Sequence, residues 1–429
     1  MYDELVFIFM RCNLSWYLKN KISKLLRRYN ERLDGDIMEK LFNINVDKLN
    51  EVGGYATAEE IYHQPRLWEE TLEIISSNKE RISNYLNKQL SKKGVKVILT
   101  GAGTSAYIGD TAVPYLSKIL DVAVESVATT EIVSSPEDYL EREVPTILVS
   151  FARSGDSPES VATYELAEKL VDDLSQIIIT CNKEGNLAKR AKENENNLVI
   201  LMPEESNDKS FAMTSSFTCM LLTALTIFDM KNLEKTIAAF NKVISNGKRI
   251  IDTEIEEILK IVKLHYDRVV YLGSSALRGL SKEASLKNLE LTSGKIFAVN
   301  ESVLGFRHGP KSIVNDKTLV FMFVSNNDYT RKYDMDLLKE IYNDEGEHKV
   351  ISITYNKDAE IEKISDKTFV VSEDKQEMME DAFAALNFII YAQVFSLFYS
   401  LELGISPDNP RPSGTVNRVV KGVNIYQYN

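Results

Sequence analysis

Only three cysteines occur in 429 residues, Cys12, Cys181 and Cys219, and none has a paired spacing. That excludes a disulfide framework or a zinc ribbon and fits a reducing, cytoplasmic setting. Positive charge is also short, with 51 lysines and arginines against 63 acids and a formal net charge of −12. Bulk attraction to nucleic acid or to an anionic membrane is thereby excluded, so an anionic ligand must be held by local donors. Histidines number only four, which leaves few candidates for imidazole chemistry. A secretory signal is not expected either: "MYDELVFIFMRCNLSW" places acids before a very short apolar run and has no small-residue cleavage site. The most membrane-like stretch, Phe383 to Ile405, carries Asn387, Gln393 and Glu402 and reads as a buried core helix.

What is present is enough apolar material, 44% of the chain, for two or three packed domains. Short β-branched runs alternate with longer helical patterns, the signature of a parallel sheet covered on both faces. The first half offers "VKVILTG", "PTILVSF", "SQIIITC" and "NNLVILM"; the second offers "DRVVYLG", "TLVFMFV", "HKVISIT" and "KTFVVSE". Gly101 matches Gly273 and Thr146 matches Thr318 at one offset of 172, and "IIITCNK" matches "ISITYNK" at 174. The chain is therefore read as an internal duplication, an α/β protein with two tandem doubly wound parallel-sheet lobes. The expected division is an extension over residues 1–37, a helical segment over 38–91 and a first lobe over 92–232. A helical linker over 233–264, a second lobe over 265–405 and a C-terminal tail over 406–429 complete it. The extension carries the basic amphipathic run "KNKISKLLRRYNERL"; it fits neither lobe, and Met38 is an alternative start.

Two loops of the first lobe can hold an anion. In "SFARSGDSPES", Ser157, Pro158 and Glu159 read as N-cap, N1 and first-turn acid, so a helix begins where a strand has just ended. Hydroxyls of Ser154 and Ser157, a close approach at Gly155 and added charge from Arg153 would cradle a phosphate monoester there; the alternative is a capping turn with no ligand. "VILTGAGTSAYIGD" repeats the design and places Thr104 and Ser105 at a second helix start. Its "GAGTSA" also satisfies a dinucleotide fingerprint. However, the acid 20 residues on, Asp121, precedes the "VAVESV" strand instead of ending it. The second lobe has Ser325, Asn326 and Asn327 where the first has Arg153, Ser154 and Gly155, so its cradle is lost.

The second lobe carries charge instead. In "RGLSKEASLKNLELTSG", Glu283, Lys287 and Glu290 fall within about 60° of one another on a helix. Leu280, Leu286 and Leu291 flank the same direction; charges inside an apolar stripe suggest a pocket, with a solvated ion pair as the alternative. His308 stands in "LGFRHGP", and Lys421 lies in the proline- and glycine-bearing tail.

Taken together, "GAGTSAY", "SGDSPES", "AMTSSFT" and "FRHGP" resemble the tandem sugar isomerase (SIS) domain family over roughly Val52 to Val423. The resemblance is to its tagatose 6-phosphate ketose/aldose isomerase or galactosamine 6-phosphate deaminase branch, with the isomerase half of glucosamine 6-phosphate synthase more distant. It implies phosphate contacts from Ser105, Ser154 and Ser157, a proton-shuttling carboxylate at Glu290 and a nearby lysine at Lys287. It further implies a ring-opening histidine at His308 that reaches a neighbouring subunit's site, hence a homodimer or higher homo-oligomer, and a C-terminal lysine at Lys421. A hexose 6-phosphate is the expected substrate, with no cofactor, no metal, no nucleic acid and no membrane. Two departures stand out: Arg153 replaces the glutamine usual in the synthase branch, and the interval from Glu290 to His308 is two residues longer. A non-catalytic sugar-phosphate sensor and a nicotinamide enzyme are the competing readings.

Overall fold

A computed structural model of the chain describes residues 40–373, 378–420 and 422–428. The 1–37 extension, Cys12, Met38 and Lys421 lie outside these residues. The described chain opens on a two-residue hairpin, Lys40–Leu41 with Ile44–Asn45, that the helical pattern of this segment had not suggested. Helices follow, among them α1 (Tyr55–Tyr62) and Gln64–Ser77.

Ten strands then build two parallel sheets. The first holds β1 (Lys96–Thr100), β2 (Ala123–Ser126), β3 (Thr146–Ala152), β4 (Leu174–Thr180) and β5 (Leu198–Leu201), in the order β2-β1-β3-β4-β5. The second holds β6 (Arg268–Gly273), β7 (Phe297–Ser302), β8 (Thr318–Phe323), β9 (Lys349–Thr354) and β10 (Lys367–Val370), in the order β7-β6-β8-β9-β10. The two orders are the same topology, as the duplication requires. Strand β7, "FAVNES", escaped the sequence pattern: it is an edge strand whose residues are mostly half-exposed, so it lacks an unbroken apolar run. In each sheet the chain leaves its first strand in one direction and its third in the other, which opens a crevice at the carboxyl ends of that pair.

Between and around the sheets pack α2 (Thr104–Ile119), α3 (Pro158–Leu170), α4 (Ser215–Ile227), α5 (Leu233–Thr253), α6 (Ala276–Leu291), α7 (Asp328–Asn343) and α8 (Asp381–Glu402). Helix α8 is long and apolar enough to cross a membrane, yet its apolar window is wholly buried by protein. Two of its polar side chains find partners there: Asn387 donates to the Val243 carbonyl at 2.8 Å, and Gln393 accepts from Gln64 at 2.7 Å. One apolar cluster runs through both lobes and includes α4, α5 and α8. Cys181 and Cys219 are buried free thiols within it.

The lobes meet at α2 and α6. At their closest point Gly279 lies so near the α2 backbone that an added Cβ would sit 2.5 Å from the Thr111 nitrogen. Lys282 pairs with Asp110 at 2.7 Å beside this contact. The crossing sets where the charges of α6 fall relative to the loops of the first lobe.

Candidate active site

The serine loop after β3 is fixed from behind. Asn182 donates to the Ser154 carbonyl at 2.9 Å, the Leu187 amide donates to the Gly155 carbonyl at 3.1 Å, and the Asn186 amide donates to Asp156 at 2.9 Å. A Cβ on Gly185 would come within 2.3 Å of the Ser154 carbonyl, so this approach needs glycine. Its hydroxyls are left with local partners: Ser154 accepts from the Asp156 amide at 3.3 Å, and Ser157 donates to Ser160 at 2.6 Å. Ser105, on α2, has only the Met213 sulfur at 3.9 Å. Neither α2 nor α3 has a side chain capping its N-terminus, so both helix starts point at the crevice with donors to offer an anion.

Helix α4 starts nearby and is the opposite case. The Asp208 carboxylate, fully buried, accepts from the amides of Thr214, Ser215 and Ser216 at 2.9 to 3.0 Å and from the Thr214 and Ser216 hydroxyls. Its place is taken by the protein's own acid. The second lobe shows the same device in its lost cradle: Asp381 accepts from the Ser325 hydroxyl at 2.5 Å and the Asn326 amide at 2.7 Å. Ser325 also donates its amide to Asp334, at 2.9 Å. Carboxylates thus sit where a phosphate would need to.

Helix α6 brings its charges to the first lobe. The Lys287 ammonium, fully buried, donates to Glu290 at 2.5 Å and to the Thr104 hydroxyl at 3.0 Å, and lies 3.3 Å from Glu283. The polar face of α6, Ser281, Ser285, Asn288 and Thr292, is buried as well, which leaves a single stripe through Arg278, Lys282, Leu286 and Leu289 exposed or half-buried. Burial pushes the Glu283 carboxyl up to about 8, against the pull of Lys287. For Lys287 burial disfavours the charge, but the two neighbouring carboxylates outweigh it and raise its pKa. Glu290 is the open end of the array, with 23% of its side chain accessible. A partly accessible carboxylate, steadied by a buried ammonium that also touches a phosphate-cradle residue, is an arrangement for moving a proton on a bound anionic substrate.

Arg153 departs from the expectation that it adds charge to the cradle. It is 6% exposed, and its guanidinium donates to two carbonyls, Phe211 at 3.3 Å and Arg418 at 2.7 Å. Thr104 already has its hydroxyl engaged, accepting from Lys287 and hydrogen-bonded to the Glu283 carboxyl. His308 is exposed on the second lobe; its amide donates to the Gly305 carbonyl at 2.9 Å, and its ring makes no hydrogen bond or ion pair with a described residue. The structure brings Ser105, Ser154, Ser157, Thr104, Lys287 and Glu290 to one crevice and leaves His308 outside it. Asp121 is exposed at the amino end of β2, away from the glycine loop, which removes the ribose contact a dinucleotide site needs.

Sequence reasoning passed over Asp208, Glu60 and Arg418. Glu60, on α1, accepts from the amides of Lys209 and Ser210 and from the Ser210 hydroxyl. Burial and the nearby Asp208 push it up to about 8. Glu60 and Arg418 find their partners about 150 and 210 residues away in the chain, so no local motif announces them, whereas Asp208 lies six residues ahead of the Thr214 it binds.

Comparison with known proteins gives the family. The SIS domain model matches residues 89–230 and 264–398. A D-galactosamine-6-phosphate deaminase of Shewanella sp. (strain ANA-3) is 40% identical over 388 residues, 90% of this chain and 95% of its own. The Escherichia coli protein of the same name is 41% identical over 87% of this chain and 96% of its own. Among solved structures, the tagatose-6-phosphate ketose/aldose isomerase of Escherichia coli is 39% identical, with a TM-score of 0.81, over 87% of this chain and 97% of its own. A Clostridium novyi structure, provisionally assigned the same activity, is 48% identical with a TM-score of 0.89, over 91% and 99%.

Proposed function

The chain belongs to the SIS domain family, and from that premise we propose that it is a sugar-phosphate isomerase and deaminase. Its substrate is a 2-amino hexose 6-phosphate of galactosamine configuration, and its products are tagatose 6-phosphate and ammonia. The observation that carries this reading is the Lys287 ammonium, which joins Glu290 of one lobe to Thr104 of the other lobe's phosphate cradle.

Ser105, Ser154 and Ser157 hold the phosphate, with the starts of α2 and α3 behind them. Glu290 takes the proton from C2 of the open-chain amino aldehyde and returns it to C1, with the electron pair passing through an enolamine. Lys287 stabilises the negative charge that gathers on the C1 oxygen. The resulting C2 imine adds water and expels ammonia, leaving the C2 ketone, so one water is consumed and no oxidant is needed. Glu283, protonated over much of the neutral range, keeps the array from carrying two buried negative charges.

Opening of the sugar ring is assigned to His308 and, with it, a second copy of the chain. His308 is exposed four residues after Leu304, itself 46% exposed, which supports a face that a neighbour covers. Lys421 is retained as a further oxyanion partner, and the setting as cytoplasmic.

The test is turnover by the purified protein on galactosamine 6-phosphate, with glucosamine 6-phosphate and the matching hydroxy sugars alongside. Equal amounts of ammonia and tagatose 6-phosphate are expected from the first. Tight binding of hexose 6-phosphates with no turnover on any of them would make the protein a sensor instead.

A further inference from the structure

Beyond α8 the chain runs as an extended strap across the site. Asp408 starts it by accepting from the amides of Ala56 and Thr57 at the beginning of α1. Arg411 then donates to the Ser293 carbonyl at 2.7 Å, three residues past Glu290. Next, Arg418 donates Nε to the Asp208 carbonyl at 3.0 Å and Nη2 to the Asn207 side chain at 3.3 Å. Finally Tyr428 meets Lys169 and Glu137 on the outside of the first lobe. The strap therefore passes from beside Glu290 to beside Ser154. It buries little of itself, since Val416, Val420 and Tyr426 are all exposed, so hydrogen bonds at a few points must hold it.

Arg153 is the buried member of those points. One of its amino groups donates to the Arg418 carbonyl and the other to the Phe211 carbonyl, which ties the end of β3 to the strap and to the loop ahead of α4. Its nearest cationic neighbour is Arg418 itself, and burial with that neighbour lowers its pKa. A guanidinium recruited for phosphate would present its planar fork to the crevice; here the fork is occupied by main-chain carbonyls.

We propose that Arg153 is a positioning residue: it holds the C-terminal strap across the mouth between the serine loop and the end of α6, and it is not a phosphate ligand. The role in turnover rests on the function proposed above; the tether itself does not. A lysine keeps the charge at this position but cannot span two carbonyls in a fixed plane, so Arg153→Lys separates tether from charge.

The experiment uses the full chain as wild type, Arg153→Lys, Arg153→Gln and Arg418→Ala, the last to keep the test available if an Arg153 variant fails to fold. Thermolysin cleavage before Val416, Val419 or Val420, sites that none of these substitutions removes, is followed by mass spectrometry without substrate, with cleavage elsewhere in the chain as the control. Release of the C-terminal peptide should be about tenfold faster in every folded variant, in proportion to the larger open population. On galactosamine 6-phosphate, both Arg153 variants should lose about tenfold or more in kcat with KM changed less than about threefold. Unchanged strap cleavage overturns the tether. A raised KM at wild-type kcat that lysine restores overturns it in favour of a phosphate ligand. If wild type turns over no sugar phosphate, the proposed function fails, and the cleavage arm still decides the tether.

Discussion

Lys287 and its two carboxylates divide one charge array into a protected end and an accessible end. Glu283 is sealed in the helix packing, whereas Glu290 reaches the crevice. The 3- and 4-residue spacing on α6 made this trio visible in the sequence, because i, i+3 and i+4 positions share a helix face. The link from Lys287 to Thr104 was not visible, since it depends on how two lobes cross. At the opposite end of the substrate, Ser154 offers its hydroxyl from a loop held by Asn182 and Leu187. Ser154→Ala should raise KM for the phosphorylated sugar about tenfold, about 1.4 kcal/mol for a lost hydrogen bond to a charged group, with kcat little changed. Steady-state kinetics on the variant checks this, and an unaltered KM removes Ser154 from the cradle.

Two elements decide whether those residues meet. The first is the α2–α6 contact, where Gly279 lets the helix backbones approach too closely for any Cβ. Gly279→Ala should push the helices apart, lengthen the Lys287 to Thr104 contact and cost about 1–3 kcal/mol of stability. Thermal unfolding reads the cost, and a fall in kcat exceeding any loss of folded protein reads the displacement. The second is the last turn of α1, where Glu60 is buried beside Asp208. Its folded pKa, about 8, stands above the ordinary value of 4.5, so the protonated form is the one the fold favours. Stability from this group is complete below about pH 4.5 and is lost as pH rises through about 8. Glu60→Gln, which mimics the protonated carboxyl, should therefore gain on wild type between pH 5 and pH 9, on the order of a few kcal/mol. A difference in unfolding temperature that does not change with pH contradicts this. Helix starts were legible as glycine, serine and proline punctuation, as at Ser157 and Pro158. Which of them were open to a ligand was not: Asp208 closes the start of α4 from a loop six residues ahead of Thr214 that matches no capping motif, and Asp381 reaches Ser325 across more than fifty residues.

At the scale of the whole molecule, duplication has produced two sheets of one topology with different duties. The first lobe keeps open helix starts, and the second supplies the carboxylates of α6. The repeat offsets and the βαβ alternation made this division readable, whereas β7 was hidden by the mixed polarity of an edge strand. Among the described residues one cradle is open, so calorimetric titration with a hexose 6-phosphate should saturate at one ligand per chain. Because His308 is exposed and its ring makes no hydrogen bond or ion pair with the described crevice residues of its own chain, mixed dimers of Glu290→Gln and His308→Ala subunits should recover part of the activity each lacks alone. No recovery in dimers verified as mixed would place both residues in one subunit's site.

The central claim is that Glu290 moves the proton, and its replacement by the isosteric amide tests that most directly. Glu290→Gln retains shape and hydrogen bonding but removes the base. With galactosamine 6-phosphate, release of ammonia should fall by about a thousandfold or more, while binding measured by calorimetry stays within about threefold of wild type. Turnover near the wild-type rate in Glu290→Gln would contradict the account and require the proton to pass through another group.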